Sequence, residues 1–235
     1  MSSSNDNLPP YQEKPFAQER ASLVSYPSRL AGTVQTCSIK DGQVDYFSII
    51  RVSESTYHLF LTVDPTPLYR IELVLGPSKV GNIQIFSASD GTLLAAARAS
   101  ADQKSKTLPV GMVCTSSPAE PNAPWRPITW EKSWLPLWFD THIPVVTVPG
   151  RPAKPQYFQW KIDEGKGAKL RWEGELYTNH INPAPIEYVF ARLSIEPDGG
   201  ETLVEIRRGA GIDFELSVIL EAFLLIDLNL KAKSA

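Results

Sequence analysis

The sequence predicts a mainly β protein: a closed antiparallel β-barrel of about 10–12 strands around a buried C-terminal hydrophobic α-helix. Three observations predict it. From residue 43 onward the chain alternates short β-patterned runs with Gly, Pro and Asp turn signals. The stretch from Gly211 to Lys231 is helix-length and apolar nearly all round, because Glu215, Ser217, Glu221, Asp227 and Asn229 scatter around the helix at about 100° per residue. The order is strands first and helix last. An open sheet of that size curls or splits, closure removes its edges, and an apolar helix inside would fill the interior that such a barrel leaves.

The elements follow in order. Residues 1–42 are rich in Ser, Pro, Asn and Gln and lack the apolar density for a core, so they read as a disordered polar tail ahead of a single domain at 43–235. Tyr57–Val63 and Leu68–Leu75 are strands separated by the turn Asp64-Pro-Thr-Pro67. In the second, Tyr69, Ile71, Leu73 and Leu75 share one face and Arg70, Glu72 and Val74 the other. Asn82–Ser87 and Thr92–Arg98 form a hairpin through Asp90-Gly91, since glycine tolerates the positive φ of such turns. The alanines of the second strand are compatible with a helix, but the turn favours pairing.

Residues 100–156 differ. Prolines recur at short intervals, and four of the six tryptophans, Trp125, Trp130, Trp134 and Trp138, crowd into this stretch. It reads as a Pro/Trp-rich insertion of loops, with Pro144–Val148 as an edge piece. The indoles either pack the loops onto the barrel wall or offer an aromatic partner surface. Strands resume at Tyr157–Ile162 and Lys169–Trp172, then at Glu187–Ser194 and Glu201–Arg207. Gly209-Ala-Gly211 releases the helix. Phe214, Leu216, Ile219, Leu220, Phe223, Leu224 and Ile226 are its expected buried residues. Glu215, Glu221 and Asp227 weigh against a transmembrane span, at a few kcal/mol each mid-bilayer, and are expected to reach the helix ends or the barrel rim.

Composition narrows the function classes. The chain has 235 residues and a formal net charge of −3, which gives no general attraction to nucleic acid. Cys37 and Cys114 are its two cysteines, too few for a disulfide framework or a thiolate metal site, and a reduced intracellular compartment is the default. The polar N-terminus lacks a secretion signal pattern. His58, His142 and His180 stand in no metal-ligand spacing, and no nucleophile elbow, phosphate-cradling loop or dinucleotide fingerprint occurs. No enzyme activity, cofactor or metal is expected. Lys161, Lys169, Arg171, Arg207 and Arg208 form an anion-binding patch if their strands are neighbours.

Several segments carry a family resemblance. Phe223-Leu-Leu-Ile-Asp-Leu228 is similar to the stretch that ends scramblase-like domains. Leu68-Tyr-Arg-Ile, Ile85-Phe-Ser-Ala-Ser-Asp-Gly, Tyr157-Phe-Gln-Trp-Lys and Ala191-Arg-Leu-Ser-Ile-Glu-Pro-Asp-Gly-Gly resemble fungal tubby-like domains of unassigned function. Over about residues 55–232 the chain thus resembles the tubby C-terminal-like superfamily, which also includes the plant LURP-one-related proteins and the phospholipid scramblases. The resemblance implies a roughly twelve-stranded barrel around the terminal helix. It also implies a non-enzymatic module that binds a phosphoinositide-like lipid headgroup or a protein partner, cytoplasmic or peripheral at a membrane. A scramblase-like lipid transporter is the alternative. Glu205-Ile-Arg-Arg-Gly-Ala-Gly211 departs from the scramblase pattern, in which an acidic calcium-binding segment precedes the helix, and no cysteine-rich palmitoylation segment is present.

Overall fold

The computed structural model describes residues 44–74, 81–100, 110–130, 138–145, 152–163, 167–172, 189–194, 202–207 and 210–233. The expected N-terminal tail lies outside them. Twelve strands follow one another in the chain: β1 (Val44–Arg51), β2 (Thr56–Leu61), β3 (Pro67–Leu73), β4 (Ile83–Ser87), β5 (Leu93–Ala99), β6 (Gly111–Cys114), β7 (Arg126–Trp130), β8 (Trp138–Val145), β9 (Lys154–Asp163), β10 (Gly167–Trp172), β11 (Val189–Ser194) and β12 (Thr202–Arg207). Each pairs antiparallel with the next, and β1 pairs with β12, so the sheet closes on itself and leaves no edge. The helix α1 (Ile212–Lys233) packs against the inner face.

The alternation seen in the sequence selects the two faces. Tyr69 and Ile71 of β3, Ile83 and Ile85 of β4, Phe158 and Trp160 of β9 and Val204 and Ile206 of β12 all lie in the core. The β4–β5 hairpin turns at Gly91, whose φ is 71°, and the Asp90 carboxylate accepts from the Thr92 amide at 2.9 Å. The alanines of β5 belong to a strand. Ala95 and Ala97 face inward and are fully buried. Their small size lets α1 approach this side of the wall, and Gly111 continues the approach: a Cβ there would lie 3.0 Å from Leu224 Cδ1. The far side carries the large rings Phe47, Phe158 and Trp160 instead.

Residues 100–156 require a correction. The expected insertion contributes three consecutive staves of the barrel, β6, β7 and β8. Its prolines concealed them, yet they disturb little. Pro144 and Pro155 stand directly opposite each other at the β8–β9 seam, beyond the last β7–β8 pair at Ile128 and Thr141. A proline costs a ladder no hydrogen bond where its nitrogen faces away from the partner strand.

The helix residues Phe214, Leu216, Ile219, Leu220, Phe223 and Leu224 are buried, and Ile226 is half-buried against the same core. Each large apolar side chain so enclosed contributes roughly 1.5–3 kcal/mol. Phe214 meets Phe158 at 5.6 Å, and Phe223 meets Tyr57 edge-on at 5.3 Å between ring centroids. The expectation that the helix carboxylates reach its ends or the rim holds for Glu215, which lies in the first turn, and is corrected for Glu221. Glu215 and Glu221 are buried within the barrel, because the wall supplies polar side chains to meet them. The side chain of Asp227 lies outside the described residues.

Candidate functional site

Two polar constellations stand out, one on the outer wall and one inside. On the outer wall, strand register decides which cations meet. Lys161 of β9 is directly opposite Lys169 of β10, and Lys169 is opposite Arg192 of β11. Arg192 faces Glu205 of β12, with Nε 3.8 Å from the carboxylate. Three cations therefore occupy one row across three consecutive strands. The inward neighbours Trp160, Leu170, Ala191 and Leu193 are buried, which is what turns the intervening residues out. Arg171 lies two residues along β10 from Lys169. A bulge between Leu170 and Arg171 leaves Phe190 of β11 as an extra residue there. The Arg207 guanidinium sits 5.9 Å from the Phe190 ring centroid, within cation–π range.

Of the five expected patch residues, the wall thus brings Lys161, Lys169, Arg171 and Arg207 onto neighbouring strands, and Arg208 lies outside the described residues. Arg192 was missed. Its signal was present in Val189–Ser194, where it interrupts buried Phe190, Ala191 and Leu193 at an outward position. Next to the row, the β8–β9 surface carries a hydrogen-bonded cluster. Tyr157 donates to Asp140 at 2.8 Å, Gln159 donates to the same oxygen at 3.0 Å, and the His142 ring lies 5.3 Å from that of Tyr157.

Of the four tryptophans of the expected aromatic surface, the described side chains include that of Trp125. Trp125 is half-buried, with the Arg98 guanidinium 3.8 Å above its ring. Trp130 and Trp138 lie in β7 and β8, but their side chains are outside the described residues, as is the whole of Trp134.

Inside, α1 carries polar groups on two opposite sides. Glu215 accepts from the Tyr69 hydroxyl of β3 at 2.5 Å. On the other side, Asp213, Ser217 and Glu221 recur every four residues and form a stripe facing β7, β8 and β9. Glu221 Oε1 accepts from Thr141 Oγ1 at 2.7 Å, and Oε2 accepts from Trp160 Nε1 at 2.8 Å. Arg126 enters from β7, opposite inward-facing Val113, and donates to Ser217 Oγ at 2.5 Å and to the His142 carbonyl. Ser217 in turn donates to the Asp213 carbonyl at 2.6 Å. Burial pushes the Glu221 carboxyl above the ordinary glutamate value, and attraction to Arg126 with the two hydrogen bonds offsets this in part. Burial pulls the Arg126 guanidinium down, against the opposing charges of Glu221 and Asp213.

Among the described residues no group of three His, Cys, Asp or Glu side chains is placed to hold a metal ion. Cys114 is buried, and its thiol donates to the Ser116 carbonyl at 3.1 Å. Among the described residues no helix is long and apolar enough to cross a membrane. No protein-family model, curated protein or solved structure matches the chain.

Proposed function

We propose that this barrel is a non-enzymatic binding module of the tubby-like kind that holds an anionic lipid headgroup against the outer wall of β9–β12 and works at a membrane surface. One observation carries the reading: the ladder sets Lys161, Lys169 and Arg192 side by side on successive strands. A bound anion would accept charge-assisted hydrogen bonds from these cations, beside the Glu205 carboxylate that already faces Arg192. Arg171 follows on β10, and Arg207 stands on β12, the next strand beyond Arg192. The segment resemblances described above favour the same class of ligand.

The test is vesicle pelleting of the full chain. The protein is expected to sediment with vesicles containing an anionic lipid, to stay in solution with neutral ones, and to be released as salt screens the contact. Lys161→Glu replaces a like-charge pair by an opposite-charge pair across β9 and β10. It is expected to weaken vesicle binding. Equal binding to neutral and anionic vesicles, or undiminished binding by Lys161→Glu, would overturn the reading.

A further inference from the structure

We propose that Glu221 is a proton-binding site of the closed barrel, a buried carboxylic acid that the Thr141–Trp160 seat holds neutral and that ionises only when the barrel loosens. Glu221 is 1 % exposed and lies between α1 and the β8–β9 wall. Both groups that touch its carboxyl are neutral. Among the described residues the cation facing this side is Arg126, whose hydrogen bonds go to Ser217 and the His142 carbonyl and whose charge is shared between Glu221 and Asp213. Among the described residues, the inner faces of β4, β5 and β12 bring no titratable side chain against α1. On β6, Cys114 lies near Arg126, and on the remaining sides Glu215 meets Tyr69 while Asp45 lies by Ile206. Arg126 attracts a negative charge at Glu221 but does not touch its carboxyl, and burial outweighs that attraction and the two hydrogen bonds, so the carboxyl binds a proton more tightly than in water.

The seat also specifies where the proton goes. An indole N–H only donates, so the oxygen facing Trp160, Oε2, keeps its accepting role in both forms. A threonine hydroxyl donates or accepts. The incoming proton, taken from water, therefore binds Oε1, and the new O–H donates to Thr141 Oγ1 in place of the reverse bond.

The sign of the linkage follows. In the folded chain the group binds its proton more tightly than in the unfolded chain. Its contribution to stability is complete below the ordinary glutamate value and is lost as pH rises toward the folded value. In that window one proton is released on unfolding, so the unfolding constant rises by up to about tenfold per pH unit.

The experiment is urea unfolding of the full chain and of Glu221→Gln over a pH series. Gln keeps an oxygen for Trp160 and places an amide donor on Thr141, so it mimics the neutral acid. The wild type is expected to lose stability relative to the variant as pH rises, by up to about tenfold in the unfolding constant per unit. A wild-type to variant ratio that stays constant with pH overturns the proposal. Should the variant fail to fold, infrared spectroscopy of the wild type at neutral pH decides. A protonated-acid carbonyl band that persists there supports the site, and its absence overturns it.

Discussion

Gly167 opens β10 with φ at 119°, and a Cβ at that position would lie 1.7 Å from the Leu193 carbonyl oxygen of β11. Both facts demand glycine: the backbone occupies a region that L-residues rarely adopt, and the neighbouring strand leaves no room. Gly167→Ala is expected to cost more than about 1–3 kcal/mol, since the strain and the clash both act on the folded state. Urea unfolding at fixed pH measures it, and a loss below 0.5 kcal/mol would contradict the geometry. In the sequence, Asp163-Glu-Gly-Lys-Gly167 reads as a Gly-rich turn, but which glycine is irreplaceable depends on the approach of β11, a contact between residues distant in the chain. Arg192 teaches the same lesson. Its outward position is local information, whereas its place beside Lys169 depends on register. The two lysines were expected to meet if their strands were neighbours, but the arginine beside them emerges only once β10 and β11 are paired.

At the scale of the elements, α1 is held by shape on one side and by polar contacts on two. Phe223 fills the space beside Tyr57, and its truncation leaves a cavity that a closed wall cannot collapse into. Phe223→Ala is expected to destabilise by about 3–5 kcal/mol, read from the urea midpoint at unchanged slope. The helix was legible because nearly continuous apolarity needs no partner to be recognised. Glu221 was misjudged because its partners, Thr141 and Trp160, lie on strands far off in sequence. The strands with plain alternation were legible too, from β2 to β5 and from β9 to β12. β6, β7 and β8 were not, since Pro127 and Pro144 interrupt the pattern by which a strand is recognised while leaving its ladder intact.

For the whole molecule, closure makes wall and helix one cooperative unit. With β1 bonded to β12, no stave is free to open as an edge, and α1 is enclosed by strands drawn from both halves of the chain. Amides in the buried middle of α1, from Val218 to Leu224, are therefore expected to exchange with solvent only through global opening, with the same protection as those of β9 and β12. Native-state hydrogen exchange at low denaturant measures this. Faster exchange in α1 than in those strands would show that the helix leaves a standing barrel, and the two would then be separate units.

The seam between β1 and β12 also sets an order of events during synthesis. A ribosome delivers Val44 long before its partner Arg207, and α1 follows only after the last stave. The inward aliphatic and aromatic side chains of the early strands thus leave the exit tunnel before their filling exists. Such a nascent chain exposes sticky surface until the helix has been made, which predisposes it to holding chaperones and to harm from a pause upstream of the helix codons.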